Sequence, residues 1–150
     1  MTEAITAEQL WKHAGQGRSE LVRGELVEFE PVGHWHGKLV ARILFFLLAF
    51  LEEHRVGSAS TEVGVVLARA PDLAVEVLSP EDRAGKVQEK IRDYLVFGTK
   101  LVWIVDTESR TVTVYHPSGA AHVYSGSDEV TGQDILPGFF FTPEKLFAVS

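Results

Sequence analysis

The sequence predicts an α/β or α+β fold in which helices flank a central mixed sheet. Three observations carry this. The run from His36 to Glu53 places Leu39, Val40, Ile43, Leu44, Leu47, Leu48 and Leu51 at helical spacing. A strand, a helix and a strand then follow one another, in Leu73–Leu78, Ser79–Phe97 and Leu101–Val105. The last of these is nearly all apolar, as expected of a strand covered on both faces.

Before the main helix, Thr6 followed by Glu8, Gln9, Leu10 and Trp11 reads as a capped short helix that ends near Gly15 or Gly17. Glu20–Phe29 reads as two short strands around Arg23-Gly24. In the main helix Phe45, Phe46 and Phe50 widen the apolar arc, so most of its sides are expected to be covered. Glu62–Leu67 is a further strand, with Pro71 at the boundary before the next, where its missing N–H does little harm. Ser79 is placed to cap the following helix, with Pro80 at its first position, Glu81 and Asp82 in its first turn, and Gly98 at its stop. Thr111–Tyr115 alternates and reads as the hairpin partner of Leu101–Val105. His122–Tyr124 is a short edge strand, Leu136-Pro137-Gly138 a turn, and Pro143–Phe147 a last helical turn. With no long linker and no internal repeat, residues 1–150 are expected to form a single domain.

At 150 residues, with 45% apolar and 23% charged side chains, the chain can bury a real core, which excludes disorder as its main state. The formal net charge of −7 argues against binding nucleic acid by bulk positive charge. It leaves room for a nuclease, because bound divalent metals reverse the sign of an acidic cleft. Absence of cysteine excludes disulfides, thiolate zinc sites and cysteine nucleophiles. Met1 to Gly17 lacks the basic start and apolar stretch of a signal peptide, so a cytoplasmic setting is expected. The apolar stretch around Ile43–Leu51 is shorter than the roughly 20 residues of a membrane span, so a core helix and no membrane partner are expected.

The chemistry concentrates in Pro71–Pro80. Strand alternation sends Leu73, Val75 and Val77 to one face and Asp72, Ala74, Glu76 and Leu78 to the other. Glu76 thus sits among aliphatics in mid-strand, where an ionised carboxylate is costly without a cation, a metal or several donors. Carboxylates held at such a cost concentrate at functional sites. The alternative is a strand-end glutamate turned to water or paired with an arginine. On the next helix Val87, Ile91, Tyr94 and Leu95 form an apolar stripe, with Lys90 beside it and Lys86 one turn earlier. Lys90 can lean over the carboxyl end of the strand, to orient a water or to stabilise charge on a phosphate. As a surface residue it would only snorkel along the stripe. His34 and His36 are spaced as metal ligands, a weak signal in a pair two residues apart. No P-loop, dinucleotide glycine pattern or Ser-His-Asp signature is present.

Several segments in order resemble the Uma-two family. They are Glu20-Leu21-Val22-Arg23-Gly24-Glu25-Leu26-Val27, then Pro71–Pro80, then Glu89-Lys90-Ile91-Arg92-Asp93-Tyr94, then Leu101-Val102-Trp103-Ile104-Val105-Asp106. Thr111-Val112-Thr113-Val114-Tyr115 and Leu136-Pro137-Gly138-Phe139 complete the likeness, which spans about Ser19 to Phe147. That family is similar to restriction-endonuclease-like nucleases of the PD-(D/E)xK type. The resemblance implies a restriction-endonuclease-like domain with Asp72, Glu76 and Lys90 as catalytic residues, and with Asp72 and Glu76 holding Mg²⁺ or Mn²⁺. Leu78 stands where the element's own lysine falls, and Lys90 fits relatives whose lysine has moved to the next helix. Glu20 and His36 take auxiliary places.

The sequence departs from the family's pattern at one point. Arg69-Ala70-Pro71-Asp72 runs straight into the strand that carries Glu76, with no separate Pro-Asp strand and loop before it. Asp72 and Glu76 are then about 13 Å apart on an extended strand. Two ligands of one Mg²⁺ must each place an oxygen about 2.1 Å from it. Either the backbone bends at Asp72, or Glu62 or Glu20 supplies the second acid, or the metal site is incomplete, or a loop of the natural protein is missing from this sequence. The expected function is a metal-dependent endonuclease that hydrolyses phosphodiester bonds of DNA or another nucleic acid, as a homodimer. The alternative is a non-catalytic relative that serves as an interaction or structural domain. Arg69, Arg83, Lys86, Lys90 and Arg92 form the basic strip that such a nuclease would use, or a solvated face.

Overall fold

The computed structural model describes residues 18–22, 25–29, 33–61 and 70–149. The expected helix near Thr6–Gly15 and strand Glu62–Leu67 lie outside them. The chain divides into two compact units, and the smaller holds the early hairpin. There β1 (Arg18–Val22) pairs antiparallel with β2 (Glu25–Phe29), which sets Glu20 opposite Val27.

The larger unit begins with helix α1 (His34–His54). Leu39, Ile43, Leu47 and Leu51 recur every fourth residue and form its buried stripe. Each such side chain contributes about 1.5–3 kcal/mol on burial. The helix stops where Arg55 turns left-handed at φ 54°. Its outer side is less covered than its composition suggests: Phe45 is 67% exposed. At 21 residues the helix is long and apolar enough to cross a membrane by length and composition alone.

The central sheet holds β3 (Leu73–Val77), β4 (Leu101–Asp106), β5 (Thr111–Tyr115) and β6 (Ala121–Tyr124), in that order. β3 and β4 run parallel and the other two pairs run antiparallel, so the sheet is mixed, as the sequence predicts. Helix α2 (Ala84–Val96) makes the crossover between the parallel strands. Leu73, Val75, Val77, Leu101, Trp103 and Val105 face the α1 stripe. Ala74, Val102 and Ile104 face Ile91 of α2, with Val87, Tyr94 and Leu95 packed around them. β4 is therefore buried on both faces from Leu101 to Val105.

Two expectations are corrected. The helix after β3 does not start at Ser79. Asp82 Oδ2 accepts from the Ser79 backbone N–H at 2.7 Å and from its hydroxyl at 3.2 Å. These bonds close a turn of their own, so the capping groups are occupied and α2 starts five residues later. Leu136-Pro137-Gly138 is not a turn either. It opens β8 (Leu136–Phe141), which pairs with β7 (Val130–Gly132) before α3 (Pro143–Phe147). Phe139 and Phe141 point inward onto Trp103 while Phe140 is exposed, and this alternation draws the segment into a strand. Gly132 permits the pairing, because a Cβ there would lie 2.5 Å from Leu136 Cβ.

The turn from β4 to β5 is tied by Asp106, whose Oδ1 accepts from the N–H groups of Glu108 at 2.9 Å and Ser109 at 3.2 Å. Burial alone would raise the Asp106 pKa, but the bonds from the Ser109 backbone and hydroxyl and the Glu108 backbone outweigh it and hold the carboxyl below its ordinary 3.8. The folded state therefore binds protons less readily than the unfolded chain. This stabilisation is fully present above the ordinary value and is lost as pH falls through the lower folded one. Asp106→Asn is expected to melt below wild type at pH 7, with the gap closing in acid. A gap that persists at pH 2 contradicts this account.

Candidate functional site

Alternation along β3 turns Glu76 to the α2 side, between Ala74 and Leu78. Its side chain is 24% exposed. Two side chains of α2, four residues and so one turn apart, converge on it. Lys90 Nζ donates to Glu76 Oε2 at 3.0 Å, and the Tyr94 hydroxyl donates to Glu76 Oε1 at 2.7 Å. Each carboxylate oxygen thus has a donor, one of them a cation, which offsets the cost of holding the charge away from water.

The carboxyl end of β3 is anchored by three further bonds. Leu78 N–H donates to Val105 O at 2.8 Å, and the Thr107 hydroxyl donates to Leu78 O at 3.2 Å. From the first turn of α1, His36 Nε2 meets Val77 O at 2.8 Å. The carbonyl can only accept, so Nε2 carries the proton. His36 Nδ1 is buried and has no hydrogen-bond partner among the described residues. Glu76 accordingly rests on a rigid strand rather than on a loop.

The structure brings together Glu76 and Lys90 from the sequence-derived set, and it sets His36 against the backbone one residue beyond Glu76. Asp72 stands elsewhere. It precedes β3, its carboxylate lies 2.7 Å from Lys100 Nζ, and its carbonyl accepts from the N–H groups of Lys100 and Leu101 at 3.1 Å each. The backbone bends at Asp72, but the strand from Leu73 onward is extended and puts about 13 Å between it and Glu76. Glu20 belongs to the other unit and its side chain is not among the described features; Glu62 lies outside the described residues. Tyr94 is the member that sequence reasoning missed. Its ring does pack in the apolar stripe. The available signal was its polar tip at i+4 from Lys90, on the side that faces Glu76.

Carboxylate oxygens suit Mg²⁺ or Mn²⁺, and Glu76 fits as one ligand. Among the described residues, however, no group of three His, Cys, Asp or Glu side chains is arranged to hold a metal ion. The described residues alone do not fit a divalent-metal centre. In the basic strip Lys86 pairs with Glu89 at 3.4 Å on the surface, Arg83 and Arg92 are exposed, and Arg69 lies outside the described residues.

Three comparisons bear on this site. The model of the Uma2 family, described as "Putative restriction endonuclease", matches residues 65–144. A crystal structure from Anabaena variabilis, described as a putative nuclease belonging to DUF820, is similar to this chain with a TM-score of 0.79. It covers 95% of this chain and 97% of its own at 19% sequence identity, a likeness of fold. No curated protein matches the sequence.

Proposed function

The chain belongs to the Uma2 family, described as a putative restriction endonuclease, and from that premise we propose that it cleaves nucleic-acid phosphodiester bonds at a centre built on Glu76 and Lys90. The observation that supports this most is the half-buried Glu76 carboxylate with Lys90 Nζ 3.0 Å away at the carboxyl end of a β-strand. The roles follow from chemistry. Lys90 brings a positive charge to a site where a phosphate develops negative charge in the transition state. Glu76 orients that charge and offers a fixed anionic oxygen. His36 keeps the strand end in place through Val77 O.

A divalent metal, Mg²⁺ or Mn²⁺, belongs to the proposal as cofactor, with Glu76 as one carboxylate ligand. When bound, such a metal would activate water and stabilise phosphate charge. A non-catalytic role is the second reading, favoured by the engagement of Asp72 with Lys100.

The test is cleavage of circular DNA, single-stranded DNA and RNA with Mn²⁺, with Asp72→Asn beside wild type. Cleavage that stops on chelation supports the metal-dependent reading, and its loss in Asp72→Asn as well would bring that acid into the centre. Asp72→Asn is expected to melt within about 2 °C of wild type, because its ion pair is largely exposed. A loss of cleavage in that variant would thus report function rather than unfolding. No cleavage by folded wild type at high concentration moves the reading to the non-catalytic role.

A further inference from the structure

The two donors on Glu76 differ in kind. Lys90 carries its charge on a flexible stem and is 36% exposed. Tyr94 is neutral, makes the shorter bond at 2.7 Å, and has its ring packed against the cluster of Ala74, Ile91, Val102 and Ile104. A ring on two torsions in a packed cluster stays where it is, whereas an ammonium group on four methylenes can turn toward an incoming phosphate.

We propose that Tyr94 is the positioning residue of this centre: its hydroxyl holds Glu76 Oε1, and so the carboxylate plane, when Lys90 turns from Oε2 to the substrate phosphate. The inference rests on the nuclease reading above and divides the labour within it. Lys90 is the mobile charge and Tyr94 the fixed support. A tyrosine suits the second role because it donates a hydrogen bond without carrying a charge that the phosphate would draw away from Glu76.

Tyr94→Phe removes the hydroxyl and keeps the ring. Where wild type cleaves, the variant is expected to lose about ten- to a hundredfold in kcat, the range of one hydrogen bond to a charged group. KM for the nucleic acid should stay within about twofold, because no substrate contact is lost. A proton NMR arm reads the bond without any activity. A slowly exchanging, downfield tyrosine hydroxyl resonance is expected in wild type, and it should vanish in both Tyr94→Phe and Glu76→Gln. Unchanged kcat in Tyr94→Phe overturns the proposal. A raised KM with unchanged kcat also overturns it, since Tyr94 would then be a substrate contact. If wild type does not cleave, the nuclease reading fails, and the resonance alone decides the hold on Glu76. Presence in wild type with loss in Glu76→Gln sustains that hold, and absence in wild type overturns it. The Glu76→Gln comparison serves in the same way should Tyr94→Phe fail to fold.

Discussion

Trp103→Ala is expected to lower stability by about 3–5 kcal/mol, the range for deleting a fully buried large aromatic side chain. For a chain of this size that is a fall in melting temperature of about 10 °C. Trp103 has no solvent exposure. It stacks on Phe139 with ring centroids 6.0 Å apart and meets Phe141 at 5.5 Å. It therefore joins the central sheet to the β7–β8 ribbon. It also stands beside Val75 in the parallel pairing of β3 with β4, the strand pair that carries Glu76. Trp103→Phe should cost less than half as much. It keeps an aromatic body and removes the indole Nε1, a buried donor with no partner among the described residues. Chemical denaturation of both variants checks this. A loss under about 1 kcal/mol in Trp103→Ala contradicts the placement of this ring at the centre of the core.

Much of the sheet and one half of the candidate site were legible in the sequence because strand alternation is local. The period of two in Leu73–Val77 was enough to put Glu76 on the opposite face from Val75 and Val77, and the structure keeps that division. The all-apolar Leu101–Val105 announced a strand covered on both sides, and it is one. The failures have equally specific causes. The start of α2 depended on whether Ser79 would cap a helix or bond Asp82, a competition between two local geometries with the same residues. Leu136-Pro137-Gly138 carries turn residues, and only the close pairing with Gly132 and the packing of the strand on the distant Trp103 make it a strand. Tyr94 read as apolar because its ring is. Its hydroxyl acquires a role only when the crossover lays α2 over β3. The distance from Asp72 to Glu76 could be reasoned from extended geometry. That Lys100 would be the partner of Asp72 could not, since β4 enters beside β3 only in the fold.

Glu76→Gln is expected to reduce cleavage by at least about a thousandfold, as for the loss of a central catalytic group. The amide keeps the side-chain volume and one oxygen that can accept from Lys90, with its NH2 group turned to Tyr94, so the variant should fold. What it loses is the negative charge that orients Lys90 and offers a fixed anionic oxygen. The effect should exceed that of Tyr94→Phe, because in the proposed centre the tyrosine acts only through this carboxylate. The decisive measurement is the rate of plasmid and single-strand cleavage with Mn²⁺, wild type beside Glu76→Gln, both shown to be folded by circular dichroism. The account predicts cleavage by wild type that falls to background in the variant. Cleavage at the same rate in both would contradict it and move the reacting centre away from Glu76.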